Sequence, residues 1–277
     1  VSPSATSPGW LARVRALPNE STAKIVLVTL AVCIVASLVV STAAVLLEPA
    51  QRANQALERK RKILEVAQLL PGEDAGREAV EAAFEQVRTR LVDLDSGRFV
   101  DTPDPESYDQ RAAARDPAQR VEIARERDIA GLGTRARYAN AYLVRDGGRV
   151  STLVLPVHGL GLWSTLYGFI ALGSDFDTVI GIGFYEHGET PGLGAEVDNP
   201  RWRAGWSGKR VFGPDGEVRI EVVKGEVAGA DPRAAWRVDG IAGATLTARG
   251  VSNMLRYWLG EQGYGPLLAR LRAGEPG

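Results

Sequence analysis

The 277 residues carry 33 Lys plus Arg against 34 Asp plus Glu, a balance with no basic field for nucleic acid and no acidic tail. The single cysteine, Cys33, excludes an internal disulfide, a cysteine-based zinc site and an iron-sulfur cluster held by this chain alone. Any redox chemistry therefore comes from a bound organic cofactor or from neighbouring chains, and the length allows one or two domains.

Residues 25–47 contain no charge and are dominated by Val, Leu, Ile and Ala, long enough to cross a hydrocarbon layer of about 30 Å as a helix. The run exceeds the apolar part of a secretory signal and no A-x-A cleavage site follows it, so it reads as a retained anchor in lipid. Cys33 inside it serves as a small apolar residue. The chain then divides into a tail at 1–23, a transmembrane helix at 24–47, a helical connector at 48–86 and a folded domain at 87–277. Arg13, Arg15 and Lys24 precede the span and Arg52, Arg59, Lys60, Arg61 and Lys62 follow it. Local charge by itself points the larger part towards the cytoplasm.

Beyond the span, residues 52–70 read as a helix stopped by Pro71-Gly72, and residues 75–87 as a second helix. Residues 91–99 read as a strand turning at Asp95-Ser96-Gly97. The mixed-charge stretch 101–127, with Pro103, Pro105 and Pro117, reads as a solvated surface excursion. From Ala139 the texture changes to short apolar runs broken by Gly and Asp. Residues 142–144 and 151–157 flank Asp146-Gly147-Gly148, residues 167–172 and 179–185 flank a turn with Asp175 and Asp177, and residues 209–212 and 218–223 flank Pro214-Asp215-Gly216. Three hairpins in series predict an α+β fold: one N-terminal transmembrane helix, then a mainly antiparallel sheet flanked by helices.

His158 and His187 are the only histidines. Glu186 and Glu189 lie near the second, but no zinc-type spacing is present and no metal site is expected. Three Gly-x-Gly runs begin at Gly131, Gly159 and Gly181. The first extends to Ala136 but follows charged residues where a dinucleotide fingerprint needs an apolar strand, and the others do not extend. No NADH site is expected in this chain.

The last strong pattern is Val251, Met254, Leu255, Trp258 and Leu259, apolar at three- and four-residue steps and followed by Gly260. It predicts one helix with one buried face, whose N-terminus falls at residues 245–247. Unpaired N–H groups and the positive end of the dipole there favour an anion such as phosphate, and Gly243 and Ala244 keep the approach free of bulk. The same local pattern also suits an ordinary threonine N-cap at Thr245 or Thr247.

The run Asp239-Gly240-Ile241-Ala242-Gly243-Ala244-Thr245 resembles the flavinylation motif of the FMN-binding domains in the C subunit (NqrC) of sodium-translocating NADH:quinone reductases and in the related G subunit of Rnf-type complexes. Ala242 departs from the pattern, which generally has Ser or Thr there; this removes one possible hydroxyl bond to phosphate and leaves the acceptor in place. Gly159-Leu160-Gly161-Leu162-Trp163-Ser164 and Glu186-His187-Gly188-Glu189-Thr190-Pro191-Gly192-Leu193-Gly194 resemble two further blocks of the same family. The three occur in family order, and the likeness covers roughly residues 87–260 together with the span.

The resemblance implies that Thr245 carries FMN covalently through a phosphoester, as an attachment residue and not as a catalytic acid or base. It implies that Thr190 and Leu193 contact the isoalloxazine with Trp163, Glu189 and Lys224 nearby; Gly194, Asp239, Gly243, Ala244 and Leu246 complete the expected cofactor-binding set. A cation such as Lys224 near the pyrimidine end would stabilise reduced flavin. It further implies a single-pass protein of the bacterial inner membrane with a periplasmic flavin domain, matured by a periplasmic flavin transferase. Its partners would be the other membrane subunits of an NADH:quinone reductase, passing electrons towards quinone. The alternatives are the homologous Rnf subunit and a membrane-anchored flavin sensor.

Overall fold

The computed structural model describes residues 18, 20–72 and 74–275; most of the tail at 1–23 lies outside the described residues. The chain forms two compact units, residues 1–56 and residues 57–277. The second therefore begins at Leu57, and residues 57–86, expected as a connector, belong to it.

Helix α1 (Thr22–Val66) runs continuously through Pro49, where the sequence suggested a span and a separate helix. Proline removes one backbone bond, and the strong helix formers on both sides carry the helix across it. Large apolar side chains from Ile25 to Leu47 are all more than a third exposed, and this is the one helix among the described residues long and apolar enough to cross a membrane. It fits a single-pass anchor, since a helix apolar all round is at home in lipid. It ends before Pro71. Gln68 takes a left-handed φ of 58° and the Leu69 N–H returns to the Leu64 carbonyl at 2.8 Å, a six-to-one closure of the Schellman type.

The body of the second unit is a six-stranded antiparallel sheet in the order β2-β1-β5-β6-β7-β8. Its strands are β1 (Val87–Asp93), β2 (Arg98–Val100), β5 (Tyr138–Asp146), β6 (Arg149–Leu160), β7 (Thr165–Gly173) and β8 (Val179–Glu186); β3 (Arg120–Glu122) and β4 (Thr134–Ala136) pair with each other apart from it. The β5–β6 hairpin turns on Gly147 and Gly148, with φ of 53° and 84°, the two positive values that a type I′ turn requires. Both faces of the sheet are covered. Leu166, Ile170 and Leu172 of β7 enter one core and Phe169 and Ala171 the other, as alternation demands when a strand is buried on both sides.

On the first face lie α5 (Thr245–Leu259) and α6 (Gly265–Arg272), packing Val251, Met254, Leu255, Trp258 and Leu259, each fully buried; a short helix, α4 (Pro200–Ala204), precedes them in the chain. On the second lie the last turns of α1 and the helix α2 (Arg77–Phe84), through Ile63, Leu64, Val80 and Ala83. The expected helix at 75–87 is shorter because Val87 already pairs with Val144. Glycines fit the layers together. A Cβ on Gly159 would lie 2.8 Å from Met254 Cβ, and one on Gly181 2.7 Å from the Val66 carbonyl oxygen, so these Gly-x-Gly runs serve helix-on-sheet contact.

Two expectations change. The third hairpin reduces to a single Phe212–Val218 bridge. Val211 and Phe212 instead donate their N–H groups to buried Asp177, while β9 (Glu221–Val222) pairs in parallel with β10 (Arg237–Val238). The excursion at 101–127 is pinned, with the short helix α3 (Gln110–Ala113) supplying its anchors. Gln110 is buried and accepts the Asn140 N–H. Arg111 forks onto Glu186 at 2.6 and 3.0 Å and lies 3.6 Å over the Tyr167 ring.

Candidate functional site

Helix α5 starts at Thr245, with Ala244 in the cap position and no side-chain cap bond. Neither threonine caps. Thr245 is the first helical residue and is exposed, while Thr247 is fully buried. The first bond into the helix runs from Ala248 N–H to the Ala244 carbonyl at 3.0 Å, so the N–H groups of Thr245, Leu246 and Thr247 precede the ladder, as at any helix start. Gly243 holds φ at 72°. A Cβ there would also meet Leu193 Cδ2 at 2.7 Å, so glycine is needed for both conformation and space.

A cavity of about 360 Å³ opens beside this terminus, lined by Thr245, Ala248, Arg249, Ser252, Asn253 and Arg256 of α5 and by residues 221–224. Helical spacing puts Thr245, Arg249, Ser252 and Arg256 on one face. Ser252 Oγ holds the opposite wall, accepting the Val222 N–H at 2.9 Å and donating to the Ala248 carbonyl at 3.1 Å. Glu221 is engaged by Arg237 at 3.0 Å and Arg256 at 3.7 Å. Lys224 and Arg249 enter no ion pair among the described residues, which leaves two free cations in the same cavity as the Thr245 hydroxyl.

On the other side of the terminus, the turn between β6 and β7 carries Trp163, 70 % exposed, and the turn after β8 carries Leu193, 43 % exposed; Leu246 on α5 is 51 % exposed. Three large apolar side chains are thus left open to solvent on the segments that meet at this helix start. Thr190, also exposed, closes the second turn by accepting the N–H groups of Leu193 and Ala195, each at 3.1 Å.

Glu189 joins these turns. It is buried, and its carboxylate accepts the N–H groups of Leu162 at 3.1 Å, Trp163 at 2.9 Å and Ser164 at 3.3 Å, and the Thr247 hydroxyl at 2.5 Å. Burial alone raises its pKa, but the Thr247 bond and the three N–H bonds outweigh that and hold it below the usual carboxylate range. Gly194 leaves the carboxylate room, since a Cβ there would lie 2.7 Å from both Glu189 Oε2 and Thr247 Oγ1.

The structure thus brings Trp163, Glu189, Leu193, Gly194, Gly243, Ala244 and Leu246 to the start of α5, with Lys224 sharing the cavity of Thr245. Asp239 stands apart from them. Its carboxylate accepts the Val227 N–H at 2.7 Å and its carbonyl the Trp202 indole N–H at 2.8 Å, so it braces the loop next to Lys224. Thr247, Arg249 and Ser252 lie outside the cofactor-binding set expected from sequence. Their signal was present: Thr247 continues the buried stripe of Val251 and Leu255 at four-residue steps, and Arg249 and Ser252 follow Thr245 at four and seven.

The histidines lie elsewhere in the same frame. His158 stacks on Tyr167 and tilts against Trp258; burial, with Arg111 nearby, lowers its pKa to about 4. His187 bonds Asp198 at 2.7 Å through Nε2 and accepts the Glu189 N–H at Nδ1. No three His, Cys, Asp or Glu side chains converge on a metal position among the described residues.

Residues 161–260, from the β6–β7 turn to the residue after α5, match the FMN-binding domain family. Over 258 residues the chain is 49 % identical to the C subunit of the Na(+)-translocating NADH-quinone reductase of Pseudomonas aeruginosa, covering 93 % of this chain and 98 % of that protein. It is 45 % identical to the protein of the same name from Vibrio vulnificus, over 92 % of this chain and 98 % of the other. The crystal structure of Shewanella oneidensis NqrC superposes with a TM-score of 0.72 at 36 % identity, over 80 % of this chain and 99 % of that one. The corresponding C subunit from Parabacteroides distasonis superposes with a TM-score of 0.60 at 29 % identity, over 80 % and 96 %.

Proposed function

The chain belongs to the NqrC family, the C subunits of Na(+)-translocating NADH-quinone reductases, and on that premise we propose that it holds FMN through a phosphoester on Thr245 and relays electrons towards quinone. The observation that carries this reading is an exposed hydroxyl on the first residue of α5, in one cavity with the free cations Lys224 and Arg249. Those groups fit a phosphate: open N–H groups, the helix dipole and two cations all favour an anion at that hydroxyl.

When bound, FMN supplies the one- and two-electron chemistry that amino-acid side chains lack. The chain's own residues have narrower tasks. Gly243 and Ala244 keep the approach to Thr245 open, and the exposed faces of Leu193, Leu246 and Trp163 offer apolar surface to a flat ring. Thr190 and Gly194 shape the turn that presents Leu193. Asp239 braces the Lys224 loop, and Lys224 favours additional negative charge beside it. Thr245 is a point of attachment and takes no part in proton transfer.

In this reading the apolar part of α1 anchors the protein in the bacterial inner membrane by a single pass, with the second unit in the periplasm among the complex's other membrane subunits. A periplasmic flavin transferase installs the cofactor there. The test is the mass of the denatured full chain produced together with a flavin transferase. Wild type gains one FMN less one water, and Thr245→Ala gains nothing; covalent flavin persisting in Thr245→Ala would overturn the assignment.

A further inference from the structure

Glu189 is a 5 % exposed carboxylate that no ion pair among the described residues includes. Three successive N–H groups, from Leu162, Trp163 and Ser164, converge on it, an arrangement of the kind that binds anions in a backbone nest. Its fourth donor, the Thr247 hydroxyl, comes from another part of the fold, 58 residues away in sequence. The fit is close. A Cβ on Gly161 would stand 2.6 Å from Glu189 Oε1, and the Ser164 hydroxyl accepts the Gly188 N–H at 2.6 Å, so the two turns are also bonded in the reverse sense.

Thr245 and Thr247 share the first turn of α5, where residues advance by about 100° each. Fixing Thr247 inward therefore fixes the roll of the turn, and with it the outward aim of the Thr245 hydroxyl. Removing a partner from a buried, charge-assisted bond leaves the other group unsatisfied, and relaxation of that turn is the cheapest remedy.

We propose that the Glu189–Thr247 pair is a positioning clamp that sets the roll of the first turn of α5 and so the presentation of Thr245 for flavin attachment. The inference rests on the reading of Thr245 as the attachment residue. Neither clamp residue needs to touch the flavin; they act through the backbone that carries Thr245 and through the turn that carries Trp163.

The test follows the time course of covalent flavin in the full-length chain after induction of a flavin transferase, comparing wild type, Thr247→Val, Thr247→Ser and Glu189→Gln. Attachment should slow by about tenfold or more in Thr247→Val and Glu189→Gln, since small misplacements of a reacting group are costly in rate, whereas Thr247→Ser keeps the hydroxyl and the wild-type rate. Hydrogen exchange in the unmodified chains gives an independent readout: residues 245–247 should exchange faster in Thr247→Val than in Thr247→Ser. Wild-type attachment rates in both Thr247→Val and Glu189→Gln, a Thr247→Ser variant as slow as Thr247→Val, or unchanged exchange would each overturn the clamp. A wild-type chain without flavin on Thr245 would instead remove the attachment reading, while the exchange comparison would still decide whether the pair holds the turn.

Discussion

Arg203 donates through Nη1 to the Glu65 carboxylate across 138 residues of sequence, while Lys62 reaches the other oxygen of the same carboxylate at 2.7 Å. The pair ties the end of α1 to the helix α4, which follows the turn carrying Leu193. The last turns of α1, packed beneath the sheet, are thereby bonded to the segment that follows the Leu193 turn.

That linkage is testable through pH. Burial raises the Glu65 pKa, but the bonds from Lys62 and Arg203 outweigh it and leave it lowered. A depressed carboxylate contributes stability that is present above its unfolded pKa and lost as pH falls through the folded value. Glu65→Gln should cost about 1–3 kcal/mol at pH 7, read as a lower urea midpoint for residues 57–277. The gap from wild type should close on acidification below about pH 4; a gap that persists in acid would mean that charge is not its source.

His158 acts with the same sign but in a higher pH window. Its folded pKa is about 4 against about 6.5 unfolded, so below neutrality the unfolded chain binds a proton that the folded chain refuses. Stability should fall as pH drops from about 6.5 to 4, by roughly 3 kcal/mol in total from this group. With only two histidines in the chain, the His158 ring resonances can be followed by NMR and should stay at neutral positions from pH 8 to 5. Titration near 6.5 would contradict its packing against Tyr167 and Trp258.

Gly250 lies under the crossing of α5 and β6, where a Cβ would run into the Leu160 carbonyl oxygen and stand 3.1 Å from Gly161 Cα. Both obstacles are backbone, which cannot swing aside. Gly250→Ala should therefore destabilise by about 1–3 kcal/mol despite the better helix propensity of alanine, and should slow flavin attachment by displacing the β6–β7 turn. A Gly250→Ala variant as stable as wild type would show that the helix can shift without cost.

Local charge and the proposed periplasmic topology point in opposite directions. We expect protease added to spheroplasts to digest the chain after Leu47 and to spare the segment before the span, because long domains translocate despite nearby cations. Protection of the large unit would show that the positive residues from Arg59 to Lys62 direct orientation.

Division of labour within the complex can be read on the flavinylated full chain in detergent. Dithionite should bleach it and NADH should not, because the Gly-x-Gly runs at 159 and 181 are spent on packing and that at 131 lies in a turn bonded to Asp128. Rapid bleaching by NADH would make the chain a dehydrogenase in its own right.

What the sequence determined by itself was whatever rests on local period and local conformation. Its uncharged apolar run, the five-residue stripe of α5, the Gly147-Gly148 turn and the three family blocks are all properties of neighbouring residues, and each is legible without a partner. The long-range pairings were not. Residues 209–223 have the composition of a hairpin, yet the buried Asp177 carboxylate, more than thirty residues away, takes the N–H groups that a second strand would have used. Residues 101–127 look solvated until Arg111 finds Glu186 and Tyr167 across the sheet. At the candidate site, the motif singles out Thr245 as the proposed attachment residue, whereas Thr247 becomes more than a cap candidate only once Glu189 meets it. A hydroxyl and a carboxylate 58 residues apart leave no periodic trace in a chain, and only the closing of the sheet against α5 decides that one threonine of the first turn faces inward and the other out.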